Sequence, residues 1–344
     1  MVTTPIPEVL TYLSLPRRPQ RPCSLHLVLV SVAWRTVQRY GFRGYRYCQL
    51  DAGNVLGNLH VLTTAAGVHL EEDWEVDDDD VAVALSLGKG ELVMVCARIS
   101  AADLGRLDTI PAVSLLDNRA VQRRWTGPAE QTPMLAPSIE RVVRLHSATQ
   151  AQSQIAGPVA AALVEASTVS ESVQRVTDRV SARGFSMPGA GTNLEGLLGE
   201  IDLSLEGLPQ DLRRHMAAIH LAREDLHLSD VEVVQIFGNQ PLMAGATSFV
   251  VVGLRTAMLG TCDLRQYRRI LLAAGVIGSR IGRVCGDYGL VSTTVGGFHD
   301  DEVAELTGRV LMPLVVHAIG GHDRRDVKND TIAARWLSNT KSNN

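Results

Sequence analysis

Arginine and serine alternate in the segment DRVSARGF (178–185), at Arg179, Ser181 and Arg183. In an extended stretch, residues two apart point the same way, so these three side chains can converge on one ligand. Guanidinium groups there offer charge-assisted, bidentate hydrogen bonds to a phosphate or to a ring carbonyl. A second candidate is the loop Thr294-Val295-Gly296-Gly297. Glycine lets backbone approach a ligand closely, and the N–H groups of such a turn can donate to charge that builds up there. Taken alone, the first also fits a solvated basic turn and the second ordinary turn chemistry.

An internal repeat supplies the elements that must position these residues. Tyr45 aligns with Tyr267, a shift of 222 residues, and the shift holds without a gap. It pairs SLHLVLVS (24–31) with ATSFVVVG (246–253), and RGYRYCQLDAG (43–53) with RQYRRILLAAG (265–275). Gly67 falls on Gly289, DDDDV (77–81) on HDDEV (299–303), and ELVMVCARI (91–99) on the strand that ends at Ile319 and Gly320. Two copies are too few for a solenoid and point to an ancient duplication. Each copy reads as strand, long helix, loop, short helix, strand. Ile270, Ala274, Ile277, Ile281 and Val284 are spaced 4, 3, 4, 3, as are Cys48, Ala52, Val55, Leu59 and Leu62, so both long segments are amphipathic helices. Gly53, Gly57, Gly275, Gly278 and Gly282 each weaken a helix by about 1 kcal/mol against alanine, which suggests that another helix packs closely on them. The two helices are expected to cross at a pseudo-two-fold interface, like a homodimer fused into one chain.

Composition narrows the classes. With 344 residues, 45% hydrophobic, the chain can bury a large core, and its length suggests two domains. A formal net charge of −4 offers no general attraction to nucleic acid or acidic membranes. Five scattered cysteines without a Cys-x-x-Cys argue against a disulfide framework or a zinc site, and no metal is expected. The first residues lack a signal-peptide pattern, and the longest apolar stretch, Leu25 to Trp34, is too short to span a bilayer; a cytoplasmic protein is expected. TGPAEQTPMLAPS (126–138) reads as a linker and 139–166 as helical. Glu71 to Asp73 and Asp77 to Asp80 sit in the first copy's loop and read as a solvated charge run, with a metal site the lesser alternative.

At this point the chain resembles the nitroreductase superfamily, specifically the SagB/ThcOx-type azoline dehydrogenases of thiopeptide pathways, which oxidise azolines to azoles in ribosomally made peptides. Residues 265–308 carry most of the likeness: tyrosine-arginine, long helix, glycine-leucine, a flavin-contacting loop, then aspartates opening a short helix. WRTVQRYGFRGYRYCQLDAG (34–53) resembles the truncated N-terminal half of those enzymes, and DRVSARGF their N-terminal flavin motif. The resemblance implies a tandem nitroreductase-like α+β fold, a pseudo-dimer within one chain, binding a single FMN. Its domains would be a degenerate N-terminal half at 1–125, a linker and helical segment at 126–166, and an FMN-binding half at 167–344. It assigns Arg179 and Arg183 to the FMN phosphate and pyrimidine edge, Ser181 to the ring or ribityl, and the backbone of Val295, Gly296 and Gly297 to the ring. Arg324 and Arg325 are the phosphate candidates after the last strand, a region that equally fits a solvated tail. The first copy has Asp73-Trp74-Glu75 where the second has its glycine turn, which would obstruct an anionic cofactor.

The pattern also departs from that family. Where a lysine-tyrosine pair is expected before Arg43-Gly44-Tyr45-Arg46, this chain has Arg39-Tyr40. Azoline oxidation needs a base for the Cα proton, and arginine stays protonated throughout the physiological range, whereas Tyr40 can serve with help from Arg39. Tyr40 and Arg39 are therefore the catalytic candidates, against a packing role for Tyr40. Val276 and Ser279-Arg280 replace a histidine and Gln-Asn of the family. Three functions compete. One is an azoline dehydrogenase acting on a leader-bearing peptide within a YcaO-type cyclodehydratase complex, with further homodimerisation left open. The second is an NAD(P)H-dependent reductase of nitro compounds or quinones. The third is a catalytically degenerate scaffold of a peptide-modifying complex, suggested by the altered pair and by only 4% aromatic residues.

Overall fold

The computed structural model describes residues 24–74, 76–88, 90–100, 102–103, 137–150, 158–159, 168–177, 181–189 and 193–323. The first copy runs β1 (Leu25–Val32), α1 (Ala33–Tyr40), α2 (Arg43–Ala65), β2 (Leu70–Asp73), α3 (Asp78–Ala84) and β3 (Glu91–Ile99). Helices α4 (Pro137–Ala148) and α5 (Val169–Thr177) follow, then β4 (Phe185–Ser186), α6 (Leu194–Glu206), α7 (Gln210–Arg213), β5 (Met216–Ala222) and α8 (Asp230–Ile236). The second copy is β6 (Ser248–Arg255), α9 (Leu264–Asp287), β7 (Leu290–Val295), α10 (Asp300–Leu306) and β8 (Leu311–His322).

The repeat register survives in three dimensions. Under the shift read from the sequence, α3 lands on α10 residue for residue, and α2 lands on all but the first residue of α9. Each copy pairs its first strand antiparallel with its last, and each pairing carries a bulge near the middle of the first strand, at Leu29/Val30 and at Val252/Gly253. The first sheet has order β1-β3-β2; the second has order β4-β8-β6-β5, with β7 also on β8. The predicted loop after each long helix is in part a strand. Glu71 to Asp73 pair with β3 as β2, and Thr294 and Val295 close β7. Only Gly296 and Gly297 of that quartet form the turn.

Helices α2 and α9 pack against each other along their lengths and supply the centre of a core that draws on both sheets. The close approach expected from their glycines occurs at Gly53 and Gly275, which meet at the crossing; a Cβ on either would overlap backbone of the other helix. Gly57 lies against Val276 and Ser279 in the same interface. Gly278 is different, because the His317 ring on β8 fills its space rather than a helix. The far face of the second sheet is closed by α8, α10 and a stack of Phe237 on Phe249, 4.3 Å apart. Ser229 and Glu232 form a capping box that starts α8.

The acidic run is not wholly solvated. Asp77 caps α3, but Asp78 is buried against Arg268, and Glu72 is buried where it accepts from Trp74 and lies 3.2 Å from His60. Charge is tolerated there because each carboxylate finds a cationic or N–H partner. Of the helix expected at 139–166, residues 139–148 belong to α4, which begins at Pro137, while 149–150 and 158–159 are not helical; 126–136, 151–157 and 160–166 lie outside the described residues. Among the described residues, no helix is long and apolar enough to cross a membrane.

Candidate functional site

Helix α1 ends at Gly41, whose φ of +58° turns the chain into α2. That turn brings Tyr40, Arg43 and Tyr47 of the first copy to the glycine turn of the second. Tyr40 is 46% exposed and meets the Tyr47 ring edge-on, with centroids 5.0 Å apart. The Arg39 guanidinium lies over the Tyr40 ring at 5.3 Å. Tyr47 in turn covers Gly296, where a Cβ would collide with its ring. The space at Gly296 was read as room for a ligand; an aromatic side chain of the protein fills it. On the Cβ side of Gly297 the Tyr47 hydroxyl lies at ordinary contact distance, 3.8 Å, while the Gly297 carbonyl packs against Gly238, which has φ +77° and no room for a side chain.

Arg43 fixes the turn from the other copy. Its Nη1 donates to Gly296 O at 3.2 Å and to Phe298 O at 2.7 Å, and its Nη2 pairs with Asp300. His299 N donates to Ile236 O at 2.9 Å. The Gly296 and Phe298 carbonyls are thus held by Arg43, whereas the half-buried Gly297 N–H has no partner among the described residues. Buried or half-buried N–H groups without partners are uncommon and mark places where water or a ligand completes the bonding.

The arginine-serine segment reaches the same strand. Ser181 bridges in parallel to Ser292 on β7, Ala182 N donates to Ser292 O at 3.3 Å, and Thr293 Oγ1 donates to Ala182 O at 2.7 Å. Ser181 and Arg183 are exposed there. Val295, Gly296 and Gly297 continue from that strand, so one edge carries both candidate motifs. Arg179, Arg324 and Arg325 lie outside the described residues.

The corresponding place in the first copy is built differently. Arg265, the repeat mate of Arg43, donates to the carbonyl of Trp74, the repeat mate of Gly296. A cavity of about 120 Å³ opens beside it, lined by Asp73, Asp77, Asp78, Thr149, Arg265 and Arg268 among others. Arg268 pairs with Asp78 and donates to Val93 O and Met94 O, at 2.7 and 2.8 Å. His146 of α4 stands 3.4 Å from Asp78 and 3.3 Å from the Tyr45 hydroxyl. Burial raises the Tyr45 pKa despite the nearby Arg268 charge, and burial pushes the Cys96 thiol up to about 12. Three carboxylates facing one small cavity do not suit a phosphate-bearing ligand.

No family model matches the sequence, and no curated protein matches it. Among solved structures the chain is similar to a candidate nitroreductase from Anabaena variabilis. The two are 17% identical, the TM-score is 0.60, and the match covers 86% of this chain and 69% of the other. The chain has the nitroreductase fold. That match spans more of the chain than either copy, so both halves share in it. Nitroreductase A from Vibrio parahaemolyticus is also similar, at 17% identity and TM-score 0.36, over 44% of this chain and 68% of its own.

Arg43, Tyr47 and Gly238 were not singled out as site residues from sequence. The recurrence of Arg43 as Arg265 was the available signal, since an arginine kept in both copies has a task that both share. Tyr47 has no such signal, because its repeat mate is Arg269.

Proposed function

We propose that the crevice between the two copies of this nitroreductase fold holds a single FMN and that the protein is a flavin-dependent oxidoreductase. The observation that carries this reading is the Gly297 N–H, unpartnered among the described residues, in a turn whose Gly296 and Phe298 carbonyls are already engaged. When bound, FMN would supply a two-electron acceptor for hydride. The residues that fit it are Gly297, through its N–H, with Ser181 and Arg183 along β7; Arg179, Arg324 and Arg325 would complete the phosphate side. The first copy's Trp74 and its cavity of carboxylates disfavour a second cofactor.

Within that reading, we assign oxidation of azolines in a leader-bearing peptide, supplied by a YcaO-type cyclodehydratase. Tyr40 stands exposed at the lip of the turn and takes the Cα proton of the substrate. Arg39 lies over its ring as an electrostatic clamp. A second reading, reduction of planar nitro or quinone acceptors, draws on the Tyr40–Tyr47 pair as an aromatic edge beside the turn. The visible absorption spectrum of the purified protein tests the common premise: a flavin band is expected, and a colourless protein that refuses added FMN would leave only a scaffold role. Mass spectrometry then separates the two chemistries. An azoline peptide loses two hydrogens under the first, whereas rapid bleaching of the flavin by NADPH with turnover of small acceptors marks the second.

A further inference from the structure

Arg43 belongs to the first copy, yet both of its carbonyl acceptors lie in the turn of the second. A trans peptide is planar, and its C=O and N–H point to opposite sides. Holding Gly296 O on the Arg43 side therefore turns the N–H of the same peptide unit, that of Gly297, away from Arg43. The next peptide unit but one is pinned at both ends, Phe298 O by Arg43 and His299 N by Ile236 O. Asp300 and the Phe298 ring, 5.2 Å from the guanidinium carbon, hold Arg43 itself in place. The planar fork sets Nη1 on the two carbonyls and Nη2 on the Asp300 carboxylate at once, which a lysine ammonium with its single nitrogen does not reproduce.

We propose that Arg43 is the positioning residue of the site: from the opposite copy it aims the Gly297 N–H at the flavin ring and so sets the affinity and reduction potential of the cofactor. The inference rests on the flavin reading above. A donor fixed before the ligand arrives stabilises charge on the reduced ring without reorganisation, and a donor free to rotate stabilises it less. Arg265 makes the same cross-copy bond to Trp74 O, where there is no glycine turn. It is the natural control for a merely structural arginine.

The test compares the wild type with Arg43→Lys, Arg43→Gln and Arg265→Gln by FMN titration and by redox titration of the bound flavin. Both Arg43 variants are expected to weaken FMN about tenfold, the loss of one good hydrogen bond, and to lower the potential of whatever flavin binds. Arg265→Gln is expected to leave both values at those of the wild type. An unchanged potential in the Arg43 variants, or an equal effect of Arg265→Gln, would overturn the inference while leaving the flavin reading intact. A wild type that takes no FMN removes both. Should the Arg43 variants fail to fold, Asp300→Asn loosens Arg43 from its far side at a more exposed position, and the same fall in potential is expected.

Discussion

Gly53 and Gly275 occupy the same place in the two copies and face each other where α2 and α9 cross, each leaving room for a carbonyl of the opposite helix, Leu272 O and Leu50 O. Alanine at either position would gain about 1 kcal/mol of helix propensity. The obstacle is backbone, which cannot step aside, and overpacking of this kind costs about 1–3 kcal/mol. Gly53→Ala and Gly275→Ala are therefore expected to lower the unfolding free energy, read by denaturant titration. Gly286→Ala, on the same helix α9 with nothing near its Cβ, is expected to hold or raise it. Equal effects at all three positions would mean that the crossing is looser than described.

The swapped ion pairs give a second comparison. Arg268–Asp78 and Arg46–Asp300 are repeat mates, but the side chains of the first pair are 6% and 9% exposed and those of the second 17% and 40%. Breaking a buried pair leaves an uncompensated charge and costs about 3–5 kcal/mol, whereas a half-exposed one is worth about 1 kcal/mol or less. Asp78→Asn should thus destabilise far more than Asp300→Asn in the same titration. The reverse order would show that burial of the first cluster is not what holds the copies together.

Acid should act on that cluster. Burial pushes His146 below its ordinary value of 6.5, with the hydrogen bond to Asp78 opposing the shift. A base kept neutral in the fold binds its proton more readily when unfolded, so stability falls as pH drops from about 6.5 towards the folded value. For Asp78, burial pulls upward, yet the hydrogen bond from His146 and the charge of Arg268 leave it below 3.8. Its contribution is present above 3.8 and lost as pH falls through the folded value. Both groups make acid destabilising, the histidine first. His146→Gln is expected to flatten the loss of unfolding free energy between about pH 7 and about pH 5, where His146 titrates and Asp78 does not. An unaltered slope would place the acid sensitivity elsewhere.

What was legible in the sequence follows from the range of the interactions. The repeat, the two long helices and their crossing glycines rest on periodicity and on residues matched at one fixed shift, and both are written along the chain. The β2 and β7 strands were hidden because they are short and take their pairing from β3 and β8. Asp78 was misread as solvated because its partner Arg268 lies 190 positions away. Composition cannot tell a buried aspartate from an exposed one until the fold brings a cation to it. The Gly296–Gly297 turn was found for its chemistry, but the residues that shape it, Arg43 and Tyr47, sit in the other copy.

Tyr47 decides between two explanations of Gly296. If the glycine is there to admit a ligand, Gly296→Ala obstructs FMN whatever stands at position 47. If it is there because the Tyr47 ring covers it, as the structure has it, the added methyl displaces the ring or the turn, and shortening Tyr47 relieves the clash. Gly296→Ala alone is then expected to weaken FMN about tenfold, and Gly296→Ala with Tyr47→Ala to recover much of that loss. Residues in contact couple by about 0.5–3 kcal/mol in a double-mutant cycle, which FMN titration of the four proteins resolves. Additive losses would return the glycine to the ligand and leave Tyr47 as a bystander that only supports Tyr40.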